Sequence, residues 1–225
     1  MIFPYICHTV PENHIFLHTK NNKIMNSTIA KLIENSVNIE NNLNKGFKLT
    51  PEEERFFNEH FEREEIKKKT FLTREGEKEK YLYFIEDGII RYWTTNIKLR
   101  EITFWFSFSN EFTNSYLSLM QNEPSAFNIQ ALCDSVIWKM EISNLTQLYD
   151  NSFNTNKMAR IALEDAFTRL TKREISLLKL SSEDRYQELI KYHKKLIYNV
   201  PLKYLASYLG ITPQALSRIR RRIIC

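Results

Sequence analysis

The sequence predicts an α+β chain in three successive parts: an N-terminal antiparallel β-barrel or jelly roll, a long helix, and a C-terminal helix-turn-helix. Three observations predict it. Between about Ile66 and Met140, short β-branched and aromatic runs are separated by turn residues. After them, "NTNKMARIALEDAFTRLTKREISLLKL" reads as one uninterrupted helix. Finally, "VPLKYLASYLGITPQALSRIRRRIIC", from Val200, sets apolar residues at helical spacing on both sides of one glycine.

A chain of 225 residues with 43% hydrophobic and 26% charged residues can bury an ordinary core. No apolar run approaches the roughly 18 residues of a membrane span. Cys7, Cys133 and Cys225 match no zinc or iron–sulfur spacing, and three scattered thiols suit a reducing cytoplasm. The net charge of +5 is uneven: residues 181–225 carry +6 and residues 1–180 carry −1. That asymmetry points to a basic terminal module with a polyanionic partner, against a merely solvated basic surface.

Residues 1–24, with Cys7, His8, His14 and His18, show no period and read as a poorly structured extension; Met25 is the expected natural start. Ile29, Leu32, Ile33 and Val37 then form a weak helical stripe. In "LTPEEERFFNEHF", Thr50 can cap a helix, Pro51 suits its first turn, and Glu53 completes a capping box. Phe56, Phe57 and Phe61 are its apolar face. In "YLYFIEDGIIRYW", strand-forming residues flank Asp87-Gly88, which predicts a hairpin; "REITFWFSF" and "FNIQALCDSVIWKM" are further strands. Along the long helix, Leu163, Phe167, Leu170 and Leu177 form a seam for a second copy, interrupted by Glu174; the alternative is packing on its own barrel. "SSEDRYQELIKYH" begins another helix, capped by Ser181 or Ser182, with Tyr186, Leu189, Ile190 and His193 on one face.

In the last stretch, Gly210 is the turn residue that adopts positive φ without a Cβ penalty. Ala206 lets two helices approach. Leu205, Leu209, Ile211, Leu216 and Ile219 point inward; Thr212 caps the second helix and Pro213 opens it. Its outward face carries Gln214, Ser217, Arg218, Arg221 and Arg222, with Arg220 to one side. Gln and Arg suit bidentate contacts with adenine and guanine edges, and the N-terminal half of such a helix lies nearest the bases. Gln214 and Arg218, supported by Ser217, are therefore the candidate base readers. Lys203, Tyr204, Thr212, Arg220, Arg221 and Arg222 are the candidate phosphate contacts.

The long helix followed by "SSEDRYQELIKYHKKLIYNVPLKYLASYLGITPQALSRIRRRI" resembles the C-terminal part of Crp/Fnr-family transcription regulators, in the short branch common in Bacteroidetes. "YLYFIEDGIIRYW" and "NEFTNSYLSLMQNEPSAFNIQAL" resemble that family's cyclic-nucleotide-binding-like domain. The resemblance spans roughly Met25 to Ile223. It implies a sensor at 25–150, a dimerisation helix at 151–180 and a DNA-binding helix-turn-helix at 181–225. It also implies a cytoplasmic homodimer on a palindromic double-stranded DNA operator, with RNA polymerase and a small-molecule effector as further partners and no membrane association. Departures are visible. The strands that follow the second helix in longer members have no counterpart, and little of a wing fits before "VPLKY". Pro213 stands where cyclic-AMP-responsive members place an arginine, and Gln214 where they place a glutamate; Arg218 matches a DNA-contacting arginine.

For the sensor pocket the resemblance implies a ribose glutamate at Glu111 and a phosphate arginine at Pro124 or Ser125. No Lys or Arg lies between Arg100 and Lys139, nor any glycine. A phosphate monoanion buried there lacks a cation, which costs several kcal/mol. A cyclic nucleotide is therefore not the expected effector. Glu111, Tyr116, Ser125 and Phe127 are the candidate pocket residues; Trp105, Phe106, Phe108, Phe112, Tyr116 and Phe127 read chiefly as core. No cofactor, metal site or catalytic arrangement is predicted: no histidine lies between His60 and His193, and no P-loop or dinucleotide motif appears. The rival to a transcription regulator is a ligand-sensing or scaffold protein whose barrel does not act through DNA.

Overall fold

The computed structural model describes residues 28–40, 47–192 and 194–224. The expected extension at 1–24, the start at Met25, and Cys7, His8, His14, His18, His193 and Cys225 lie outside the described residues.

Helix α1 (Ile29–Glu40) buries Ile29, Ile33 and Val37, the stripe its spacing predicts. Helix α2 (Pro51–His60) starts with the expected capping box. The Glu53 amide donates to the Thr50 hydroxyl at 3.2 Å, and the Thr50 amide donates to the Glu53 carboxylate at 2.7 Å. Phe57 and Phe61 are buried, and Phe56 packs at their edge.

Eight strands follow: β1 (Glu62–Ile66), β2 (Phe71–Thr73), β3 (Tyr81–Asp87), β4 (Ile89–Thr95), β5 (Glu101–Phe108), β6 (Phe112–Thr113), β7 (Asn128–Ala131) and β8 (Ser135–Glu141). They form two four-stranded antiparallel sheets, ordered β1-β8-β3-β6 and β2-β7-β4-β5. A short helix, α3 (Tyr116–Gln121), joins β6 to β7. This is the jelly-roll-like fold the strand texture predicts.

The hairpin expected at Asp87-Gly88 does not form. β3 and β4 lie in different sheets, with Gly88 alone between them. One residue is too short for the two-residue loop that Asp-Gly usually makes. Instead Gly88, at φ +137, carries the chain over a corner; a Cβ there would stand 2.2 Å from the Ser135 hydroxyl oxygen. The hairpin belongs to β4 and β5, closed by Asn96–Arg100, with the Asn96 amide donating to the Arg100 carbonyl at 3.0 Å. Likewise "FNIQALCDSVIWKM" is two strands in two sheets, broken at Leu132–Asp134. Local β-propensity marks strands but not which sheet each enters.

Helix α4 (Ile142–Asn151) leads into α5 (Phe153–Lys179), the predicted long helix. Ser152 caps α5, accepting from the Thr155 amide at 2.9 Å. Four more helices complete the described chain: α6 (Ser182–Tyr192), α7 (Lys194–Asn199), α8 (Leu202–Tyr208) and α9 (Pro213–Ile224). Of the two candidate caps for α6, Ser181 serves: the Asp184 amide donates to its hydroxyl at 3.1 Å. Among the described residues no helix is long and apolar enough to cross a membrane.

Three apolar clusters hold the fold. One joins α1 and α2 to β3, α4 and the start of α5, through Ile33, Phe57, Phe84, Met140 and Ile161. A second fills the space between the sheets around Ile85, Ile90, Tyr92, Ile129 and Ile137. The third unites α6–α9 with Phe106 and Leu132 of the barrel. Each fully buried side chain of this size contributes about 1.5–3 kcal/mol, so the third cluster is a true interface between barrel and C-terminal helices.

Candidate nucleic-acid interface

The C-terminal turn has the geometry its residues require. Gly210 adopts φ +73. The Ile211 amide donates to the Ala206 carbonyl at 3.0 Å, and Ala206 is fully buried where the helices meet. Thr212 caps α9, accepting from the Ala215 amide at 3.2 Å. Leu205, Leu209, Leu216 and Ile219 are buried, and Ile211 packs at their margin.

With that face inward, α9 turns Gln214, Arg218 and Arg221 outward, Ser217 half-buried between them. These four and Pro213 line one open concavity. Among the described residues, Arg218, Arg220 and Arg221 make no ion pair. The candidate base readers are thus brought together on one accessible face of a helix.

Other candidates are placed differently. Arg222 pairs with Glu183 of α6 at 2.5 Å. Tyr204 faces the barrel, and the Lys203 ammonium lies 4.6 Å from the centre of its ring. On the long helix Phe167 is 72% exposed, and Leu163 and Leu170 are exposed beside it. Leu177 instead turns toward the helix-turn-helix, its Cδ2 3.9 Å from where a Gly210 Cβ would stand.

Residues not predicted from sequence anchor the module to the barrel. Arg91 of β4 is 1% exposed. Its Nε donates to the Thr103 hydroxyl at 2.8 Å, its Nη1 pairs with Glu101 at 2.8 Å, and its guanidinium stacks on Tyr204 of α8. Burial pulls Arg91 below its ordinary range, while Glu101 pulls it back up. Nη2 is buried without a hydrogen-bond partner. Beside it the Thr103 amide donates to the Ser207 hydroxyl at 2.9 Å, and Phe106 packs on Tyr208 at 5.4 Å between centroids. From the other side, Arg173 donates to the Tyr208 carbonyl at 3.2 Å and Arg185 to the Leu209 carbonyl at 2.9 Å. Two cations at the last carbonyls of α8 also complement its dipole. The available signal was Arg91 itself, a charge inside the apolar run "IIRYW".

The candidate pocket residues do not share a cavity. Glu111 pairs with Arg169 of α5 at 3.2 Å and accepts from the Phe108 amide at 3.2 Å. It lines a cavity of about 70 Å³ between α1, β6 and α5, with Ser36, Phe112, Met158, Asp165 and Arg169. Burial pushes its carboxyl up, against the opposing pull of Arg169. Tyr116 lies on the outer side of α3, 42% exposed. Phe127 packs on Tyr92 and Phe104, a ring cluster that fills the space between the sheets. Ser125 is buried, bonded to the Ser115 hydroxyl at 2.8 Å and the Phe127 carbonyl at 2.8 Å. Trp105, Phe112 and Phe127 pack in or against cores, as expected. Phe106 and Phe108 pack toward the C-terminal helices instead.

Residues 63–152 match the family model described as the cyclic nucleotide-binding domain. No curated protein sequence matches the chain. Solved structures with the same fold include FixK2 from Bradyrhizobium japonicum, 15% identical, covering 72% of this chain and 84% of that one with a TM-score of 0.63. The c-di-GMP responsive global regulator CLP of Xanthomonas campestris is 16% identical, covering 75% of this chain and 89% of that one with a TM-score of 0.61. A protein described as a transcriptional regulator of the crp/fnr family from Eubacterium rectale is 16% identical, covering 77% and 83% with a TM-score of 0.61. Residues 63–152 are therefore a cyclic nucleotide-binding-type domain, set within a chain that has the Crp/Fnr fold.

Proposed function

We propose that this protein is a cytoplasmic, homodimeric, sequence-specific DNA-binding transcription regulator and not an enzyme. The observation that carries the reading is the exposed Gln214–Ser217–Arg218–Arg221 face of α9, held out by a buried Leu216–Ile219 face. Gln214 and Arg218 read base edges, while Thr212, Arg220 and Arg221 engage phosphates. Residues 25–150 are the sensor, 151–180 pair two copies through Leu163, Phe167 and Leu170, and 181–225 read DNA.

Two such modules reach successive major grooves of a palindromic operator when their α9 helices sit about 34 Å apart. The barrel acts on that spacing through the Arg91–Tyr204 and Phe106–Tyr208 contacts, because α8 rests directly on β5. An effector, or contact with RNA polymerase, shifts activity only by favouring one arrangement of the pair. The effector is not a cyclic nucleotide.

Selection of bound fragments from random or genomic DNA, followed by a salt titration on the winning site, tests this reading. The expected result is one inverted-repeat sequence, bound with an affinity that falls steeply with salt yet stays above that for random DNA. Binding with no sequence preference at any salt concentration would sink it.

A further inference from the structure

Where the segment before β3 runs beside the loop after α3, five polar side chains are buried together: Thr73, Glu79, Ser115, Ser118 and Ser125, each at most 8% exposed. One of the five is charged. Among the described residues no Lys or Arg lies within salt-bridge distance of the Glu79 carboxylate. Its partners are neutral donors. One oxygen accepts from the Thr73 hydroxyl at 2.6 Å and from the Ser115 amide at 2.8 Å. The other accepts from the amides of Lys80 at 3.0 Å and Tyr81 at 3.2 Å. The Glu79 amide in turn donates to the Ser118 hydroxyl at 3.0 Å. The loop is stitched alongside: the Ser125 amide donates to the Glu77 carbonyl at 2.8 Å, and Lys78 bridges to Pro124.

Four converging donors without a cation are what a protein uses to hold a buried anion, and here the anion is part of the chain. The place matters as well. Ser115 bonds directly to Ser125, and Pro124 or Ser125 is where the family resemblance implies a phosphate-binding arginine. We propose that Glu79 is the resident anion of this pocket, its carboxylate occupying the donors that a ligand phosphate would need. The barrel is closed to cyclic nucleotides and other phosphate-bearing ligands by a filled cradle, beyond its lack of a cation. The proposal rests on reading residues 63–152 as a nucleotide-binding-type barrel, but not on DNA binding.

Thermal melts of the full chain, without DNA, test it. The wild-type melting temperature should not respond to cyclic AMP, inorganic phosphate or formate beyond a matched chloride control. Glu79→Ala, or Glu79→Ser if the alanine variant is too unstable, empties the cradle. Its melting temperature should rise saturably with formate or phosphate, by roughly 5–10 °C at a concentration one hundred times Kd. A variant that folds only when one of these anions is added supports the proposal equally. Glu79→Gln keeps the bulk and should fold without responding to anions. A saturable cyclic AMP response in the wild type would overturn the proposal. So would a folded Glu79→Ala protein indifferent to anions, small variants that stay unfolded with or without formate, or a Gln variant that binds phosphate. Because no DNA is present, failure of operator selection leaves this result standing, and the reverse also holds.

Discussion

The guanidinium of Arg91 on β4 lies 3.8 Å from the centre of the Tyr204 ring on α8. This stack ties a strand of the barrel to the first helix of the helix-turn-helix. It carries a buried charge with one nitrogen unbonded, so packing and not ion pairing should account for most of its worth. Arg91→Ala should cost about 2–3 kcal/mol in urea unfolding, whereas Arg91→Met, which keeps the stem over Tyr204, should stay within about 1 kcal/mol of wild type. If the methionine variant falls as far as the alanine one, the charge is the tie.

Base reading and phosphate contact separate by mutation. Arg218→Ala should weaken the selected operator by about 1–3 kcal/mol and relax base choice at one position. Arg221→Ala should weaken selected and random DNA alike and lower the salt slope by about one. Competition binding at two salt concentrations distinguishes these patterns; equal losses on random DNA for both variants would leave Arg218 without a reading role.

The exposed stripe on α5 gives an assembly prediction. Phe167→Glu places a charge at the centre of the proposed seam, on a side chain that is 72% exposed within one copy. Light scattering should show a shift from dimer to monomer, with far-ultraviolet circular dichroism unchanged. A variant that stays dimeric would move the interface off α5.

Two glycines with positive φ should respond very differently to alanine. At Gly210 the new methyl meets only Leu177, at 3.9 Å, so Gly210→Ala carries the left-handed backbone cost alone, about 1–2 kcal/mol. At Gly88 the methyl would meet Ser135 at 2.2 Å and at a φ few residues other than glycine adopt, so the loss should exceed about 3 kcal/mol. Chemical denaturation of both variants gives the comparison directly.

Glu53 and Glu111 should pull stability in opposite directions with pH. Burial pushes Glu53 up, but hydrogen bonds from Ser152, Thr50 and Asn154 outweigh it and hold the carboxyl below its ordinary 4.5. Its contribution is present above about pH 4.5 and is lost as pH falls through the lower folded value. Glu111 is held above 4.5, chiefly by burial. Its contribution is full below 4.5 and is lost as pH rises through the higher folded value. Urea midpoints against pH should therefore show a shallower acid limb for Glu53→Gln and a flatter decline above 4.5 for Glu111→Gln.

The parts of this molecule written in local spacing were legible in the sequence. Thr50 with Glu53, Thr212 with Pro213, and Gly210 with Ala206 each settle their own few residues of backbone, and each forms as read. What the sequence hid depends on approach between distant segments. Asp87-Gly88 has hairpin chemistry, but Ser135, far along the chain, decides that it turns a corner. Tyr204 has the chemistry of a phosphate contact, but Arg91 claims its ring. Glu111 matched the ribose position of a nucleotide site, yet Arg169 on the long helix holds it. Glu79, two residues before β3, carried no local signal; its partners come from three separate segments.

Glu53 also has a history during synthesis. Its carboxylate satisfies the Thr50 amide at once, but its bond from the Ser152 hydroxyl joins residues 99 positions apart. At about 5–20 residues per second, that partner leaves the ribosome roughly 5–20 seconds later. Through that interval α2 can cap itself and meet α1, but its tie to the start of α5 is missing. The first helices of this protein must wait for the root of the long helix before their packing is complete.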